Sequence, residues 1–229
     1  MVFTHDWWMP RTARAMVGGL CYHVINRGNG RATVYHEPRD YKAFLTLMIL
    51  ASERIPMRVL AFCLMPNHFH LVLWSLTDGD ISRWMHWLLT SHAKRHHRIQ
   101  GSSGRIWQGR FKAFPVQQDR HLLTVIRYVE RNPLRANLVQ SAADWRWSSL
   151  NRDQATFVDS LRSEWPVPRP PNWLEIVEKP RSQSETEALR QCTLKNTPFG
   201  SDIWVRSTAE QLGLNSSLRE QGRPKRGHS

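Results

Sequence analysis

The chain has 229 residues, enough for one domain with an appendage and too few for multi-domain machinery. Its 41% hydrophobic and 22% charged residues exclude a collagenous or wholly disordered chain. Lys plus Arg outnumber Asp plus Glu by 32 to 19, and the resulting net charge of +13 asks for a polyanionic partner, with nucleic acid the first candidate. Cys21, Cys63 and Cys192 are an odd number without a C-x-x-C pair, which excludes a disulfide framework and a zinc ribbon and fits a reducing cytoplasm. The longest apolar stretches, Phe44 to Ala51 and Val59 to Met65, are far shorter than the roughly 18 residues of a membrane span, and no targeting segment is read at the N-terminus.

In chain order, Cys21 to Arg27 predicts a strand closed by the turn Gly28-Asn29-Gly30. Tyr41, Phe44, Leu45 and Met48 lie on one face of a helix that follows Pro38-Arg39-Asp40, with Asp40 as its N-terminal cap. Met57 to Leu64 and His68 to Trp74 are β-rich runs, and the short Met65-Pro66-Asn67 turn pairs them as an antiparallel hairpin. A second helix spans about Ile81 to Arg98, with Ile81, Trp84, Met85, Leu88 and Leu89 on its apolar face. A short strand through Phe114-Pro115-Val116 and a helix from Asp119 or Arg120 to about Arg131, stopped by Asn132-Pro133, complete the pattern. The order predicts an α+β fold, a ferredoxin-like split-βαβ sandwich whose antiparallel sheet carries helices on one face.

Charge divides the chain unevenly, for residues 1–150 hold 20 basic and 9 acidic residues and so +11 of the +13. The catalytic or binding domain is therefore expected in 1–150. The proline-rich run Trp165 to Pro171 marks a linker over 151–171. Residues 172–229 form a small extension, mostly helical or disordered. Within it, Phe199 to Leu218 resembles half of a helix-turn-helix with a stop at Gly213, and Gly222 to Arg226 resembles an AT-hook core in which Arg223 and Lys225 would enter a minor groove.

Two constellations carry chemistry. His68 and His70 alternate along a strand, so both rings face one side and can grip one metal ion, while Phe69 packs on the other. Of the four tyrosines, Tyr128 stands out, because Asn132 four residues on shares its helical face. A phenol attacks poorly unless its ionisation is assisted, and Arg127 and Arg131 supply nearby charge.

His68-Phe69-His70 after Met65-Pro66-Asn67, Trp107-Gln108-x-Arg110-Phe111, Tyr128 to Pro133 followed by Arg135-Ala136, and Trp147-Ser148-Ser149 together resemble the REP-associated tyrosine transposases. These belong to the HUH (His, hydrophobe, His) single-tyrosine transposases, and the likeness covers roughly residues 10–150. It implies an enzyme that binds single-stranded DNA or DNA hairpins, then cleaves and rejoins strands through a 5′-phosphotyrosyl intermediate with magnesium or manganese. Carried onto this sequence, His68 and His70 become metal ligands, Tyr128 the nucleophile and Asn132 a third ligand, where relatives often place a longer Gln. Arg11, Arg14, Arg27, Arg105, Arg110 and Lys112 become phosphate or base contacts, and Trp107 either stacks on a base or holds its loop to the core. The partner is DNA and no membrane, and the protein acts as a monomer or homodimer. A metal-dependent hydrolytic nuclease and a non-catalytic DNA-binding regulator are the alternatives that the residues leave open.

Overall fold

The structure, a computed structural model, describes residues 16–151 and 161–219. Strands β1 (Cys21–Arg27), β2 (Met57–Met65), β3 (His68–Ser75) and β4 (Lys112–Val116) form one sheet in the order β2-β3-β1-β4, with all neighbours antiparallel. Helix α1 (Pro38–Arg54) joins β1 to β2, and α2 (Asp80–Gln100) joins β3 to β4. Because β3 inserts between β1 and β2, the unit is the expected split βαβ of an α+β, ferredoxin-like sandwich. Asp40 sits three residues inside α1 rather than at its cap. There it accepts from the backbone of Glu37, the capping residue, in a capping box.

Alternation along the strands sorts their side chains between two cores. Tyr22 and Val24 of β1 with Phe69, Leu71 and Leu73 of β3 pack under Phe44, Met48, Trp84 and Leu88 of α1 and α2. Cys21, Val72, Phe114 and Val116 point the other way, onto Leu122, Val125, Ile126 and Val129 of α3 (Arg120–Glu130). The two helices of the split-βαβ unit thus share one face as the sequence predicts, and α3 covers the opposite one. The reason is legible in β3, where Leu71, Val72 and Leu73 are all fully buried, so neither face of the sheet tolerates water.

The hairpin turn at Pro66 and Asn67 is held by the loop that follows β1. Gly28 N donates to Asn67 O, while Val34 N and Tyr35 N both donate to Pro66 O. Gly28 has to be glycine, since a Cβ there would lie 2.3 Å from Ala32 O. Trp107 is bridged to Gly28, and its ring is buried against Phe69, Phe44, Tyr35 and His92. It anchors its loop to the core and offers no face for base stacking.

Both sheet edges are covered, as unpaired edges must be. Along β2, Ser149 N donates to Phe62 O and Ser163 N to Val59 O. A bulge between Val59 and Ala61 takes Leu60 out of the pairing with β3, and Leu60 O accepts from Trp165 Nε1 at 2.8 Å. The proline-rich run is therefore strapped along the sheet at Trp165. On β4, Phe199 bridges Val116. The extension adds α5 (Trp173–Glu178), α6 (Gln183–Lys195) and α7 (Asp202–Gln211) after a short α4 (Asn132–Arg135), and Trp173, Val177 and Leu189 enter the same core as α3. Trp173 Nε1 donates to the buried Glu130 carboxylate at 2.7 Å, and Arg131 donates to the carbonyls of Val177 and Glu178. After α7, Gly213 adopts φ 65° and a 3-10 turn at Asn215–Leu218 follows, so only one α-helix of the expected helix-turn-helix half lies among the described residues. Arg11, Arg14, Arg223 and Lys225, with the AT-hook-like tail, lie outside them. No helix among the described residues is long and apolar enough to cross a membrane.

Two stability measurements test this packing. Trp173→Ala removes a buried ring and one of the two hydrogen-bond donors to Glu130, so urea unfolding should show a loss of about 3–5 kcal/mol; a loss below about 1 kcal/mol would separate the extension from the folding unit. His92 is buried beside Tyr35 and Trp107, and burial, with the charges of His96 and Arg95, pushes its pKa down to about 3. The unfolded chain therefore takes up this proton first, so stability should fall as pH drops from about 6.5, by up to about 1.4 kcal/mol per pH unit for this group. Melting from pH 7 to pH 4.5 should be less steep for His92→Phe than for wild type, and parallel curves would refute the assignment.

Candidate active site

His68 and His70 open β3 and, through strand alternation, point to the α3 face with ring centroids 5.1 Å apart. The orientation of His68 is set from the turn. Asn67 Nδ2 donates to Arg31 O, which fixes the amide, so Asn67 Oδ1 faces His68 Nδ1 at 2.7 Å and accepts its proton. The Nε2 lone pair of His68 is left for another partner. His70 is buried, and its Nδ1 lies 2.9 Å from Nε2 of His23 on β1. Burial pushes His23 down to about 3 and His68 to about 4, with Arg27 and Arg135 adding to the effect on His68; His70 also lies well below the usual imidazole value, chiefly through burial. All three rings are neutral at neutral pH, the state in which imidazole binds a cation. His23 has no motif of its own in the sequence. Only the pairing of Ile25 with His70 brings it to that ring, and its one sequence signal is its parity with Cys21 on a buried strand.

Tyr128 projects from α3 over the same histidines, edge-on to His70 at 5.6 Å and to His23 at 6.1 Å between centroids. The cations beside its ring are Arg135, with Cζ 5.3 Å from the centroid, and Arg181 at 5.8 Å. Arg127 and Arg131, the nearby charges expected from sequence, turn instead to the extension, where Arg127 donates to Lys179 O and Arg131 to Val177 O. Arg135 lies beyond the end of α3, in α4, and it is there that a guanidinium reaches the Tyr128 ring.

Asn132 departs from its expected role as a metal ligand. Its Nδ2 donates to Tyr128 O at 2.9 Å and Val129 O at 3.4 Å, and its Oδ1 accepts from Arg135 at 2.7 Å. The chain breaks from α3 into α4 at this point, and the amide is spent bracing the junction and the guanidinium next to Tyr128. Among the described residues no group of three or more His, Cys, Asp or Glu is arranged to hold a metal ion. The donors on offer are two neutral imidazoles, which fit a divalent cation that takes its remaining ligands from phosphate and water.

These groups open into a cleft of about 530 Å³. Arg27, Arg110, Lys112 and Arg135 line it, whereas Arg105 is exposed on the preceding loop without lining it. The Trp107 segment explains part of this arrangement. With the indole buried and Gln108 N donating to Arg27 O, Gln108 and Arg110 are turned toward the cleft. The far wall comes from α6 of the extension through Arg190, Thr193 and Leu194. Nothing in the sequence links α6 to the histidines, because that contact depends on how the extension docks.

The chain is similar to known proteins. The family model for IS200-like transposases matches residues 16–132, about half of the chain. A REP-associated tyrosine transposase of Escherichia coli is 25% identical over 141 residues, 60% of this chain and 80% of that protein. A putative REP-associated tyrosine transposase of Haemophilus influenzae is 27% identical over 112 residues, 44% of this chain and 63% of that protein. Among solved structures, a REP-associated tyrosine transposase bound to a REP hairpin aligns with a TM-score of 0.51 at 23% identity, over 64% of this chain and 86% of its own. With the split-βαβ sheet and the matched span from before β1 to Asn132, the chain belongs to the IS200-like transposase family, where its relatives are REP-associated tyrosine transposases.

Proposed function

We propose that the protein cleaves and rejoins DNA at single-stranded or hairpin sites, with Tyr128 as nucleophile and a divalent cation, magnesium or manganese, held by His68 and His70. The observation that carries this reading is the convergence of a tyrosine on two neutral imidazoles, 5.6 Å from the nearer ring, inside a cleft walled by cations. A bound cation would supply Lewis acidity at a nonbridging phosphate oxygen. Arg27, Arg110 and Lys112 would hold the flanking phosphates and so set the register of the strand. The Tyr128 oxygen attacks phosphorus as its proton passes to water. The bond from phosphorus to the 3′ oxygen breaks, and that oxygen leaves as a hydroxyl after taking up a proton. Arg135, beside the phenol ring, stabilises the negative charge that develops on the attacking oxygen. The 5′-phosphotyrosyl ester keeps the energy of the broken bond. A 3′-hydroxyl can later displace Tyr128 and join strands without a nucleotide cofactor.

The hairpin partner follows from the cationic cleft and from the hairpin held by the structurally similar transposase. Arg190 extends the cationic lining to the extension, although Glu187 lies 3.7 Å from it and offsets part of its charge.

Tyr128→Phe deletes one oxygen and keeps the ring, so melting temperature and hairpin affinity should stay near wild type while cleavage falls by several orders of magnitude. A labelled hairpin oligonucleotide incubated with manganese should leave a covalent protein adduct on a denaturing gel for the wild type alone. Free 5′-phosphate ends without an adduct would point to a hydrolytic nuclease, and binding without cutting to a regulator. His70→Ala should abolish cleavage yet keep most of the affinity, since phosphate contacts by Arg and Lys dominate binding. Parallel cleavage and gel-shift assays check this, and wild-type cleavage by the variant would remove the metal role.

A further inference from the structure

We infer that His23 is a positioning residue for the cation site: its hydrogen bond to His70 fixes the ring orientation that turns Nε2 of His70 toward the cleft, and its Nε2 can accept the Nδ1 proton of the cation-binding tautomer. The inference rests on the proposal that His70 is a cation ligand. His23 is only 1% exposed, and its hydrogen bond to His70 is 2.9 Å between Nε2 and Nδ1, with the ring planes within 17° of each other and the centroids 5.1 Å apart. The other nitrogen of His23, Nδ1, has no hydrogen-bond partner among the described residues, and the aromatic rings of Phe114 and Tyr128 lie beside the imidazole. A polar ring with an unsatisfied nitrogen in such surroundings costs stability that an apolar residue of the same size would not. The contact with His70 is what the imidazole adds.

Between two neutral imidazoles the bond can run in either sense. If His70 Nδ1–H donates to His23 Nε2, the lone pair of His70 lies on Nε2 and is available to a cation. If His23 donates, His70 carries its proton on Nε2 and cannot bind one there. The vacant Nδ1 of His23 is unsatisfied in both senses, so it favours neither, and a cation at His70 selects the first. His68 is served in the same way by Asn67 Oδ1, which accepts its Nδ1 proton. Each of the two ring nitrogens offered to the cleft therefore has a partner behind it, one from the hairpin turn and one from the neighbouring strand.

The test uses the full-length protein and Mn²⁺ alone, with free Mn²⁺ followed by electron paramagnetic resonance. His23→Phe keeps a ring in place and removes the hydrogen bond, and it should weaken Mn²⁺ binding by about 10–100-fold. Hairpin affinity measured in EDTA should not change. His23→Gln, whose side-chain oxygen can accept from His70 Nδ1, should restore most of the Mn²⁺ affinity, which a purely packing role for the ring would not predict. Wild-type Mn²⁺ affinity in His23→Phe, together with its loss in His70→Ala, would overturn the inference and leave the ligand assignment standing. Unchanged affinity in His70→Ala would overturn the ligand assignment itself. If His23→Phe does not fold, ¹⁵N spectra of the wild-type imidazoles at saturating Mg²⁺ decide the matter. A His70 Nδ1 proton with scalar coupling across the hydrogen bond to His23 Nε2 is the expected result; a Nδ1 proton without that coupling refutes the inference, and a proton on Nε2 refutes the ligand assignment.

Discussion

The register of β1 against β3 governs the site. With Ile25 opposite His70, strand parity sends His23, His68 and His70 to the same side of the sheet, and a shift by one residue would move His23 to the face under α1 and α2. The register is held by burial on both faces, since Tyr22 and Val24 on one side and Cys21 and His23 on the other all need cover. α3 then crosses the histidine face with an almost continuous apolar stripe, and that docking carries Tyr128 to the rings. Site and core share one interface, which makes the geometry of the chemistry a by-product of packing.

Charge is divided by task among the arginines of one short stretch. Arg127 and Arg131 are spent on carbonyls of the extension, where they satisfy the exposed C-terminal groups of α5 and tie it to α3. Arg135 stays beside Tyr128, braced by Asn132. Arg27, Arg110 and Lys112 crowd the cleft with few acidic residues to balance them, a concentration of like charge that the phosphate chain of the proposed DNA partner would relieve. Binding to the cleft should therefore weaken steeply with salt.

The extension is part of the same folded body. Its aromatic and aliphatic residues complete the core around α3, and Phe199 closes the open edge of β4. α6 supplies the wall facing the histidines. Trp173 and Trp165 pack against each other with centroids 5.1 Å apart, one donating to the Glu130 carboxylate and one to the carbonyl freed by the β2 bulge. Each supplies a donor to a buried acceptor atom, Glu130 Oε2 in one case and Leu60 O in the other, a task that suits an indole with its single N–H.

The amino-acid sequence by itself determined the elements and their order, because hydrophobic periodicity and turn chemistry are local: the His68 and His70 pair on one strand face, the Tyr128 helix ended at Asn132-Pro133, and the split-βαβ pattern all follow from spacing. What only the tertiary structure decided are contacts between residues far apart in the chain. His23 meets His70 across 47 positions through strand register, Arg135 replaces Arg127 and Arg131 beside Tyr128 because the extension captures the latter two, Trp107 goes to the core, and α6 closes the cleft. Asn132 shows the boundary between the two. Its place on the Tyr128 face is legible from four-residue spacing, whereas the direction of its amide depends on the break between α3 and α4 and on which partner, backbone carbonyl or guanidinium, reaches it first. Spacing along a chain sets which side of an element a residue occupies, and only the packing of elements against one another sets what that side meets.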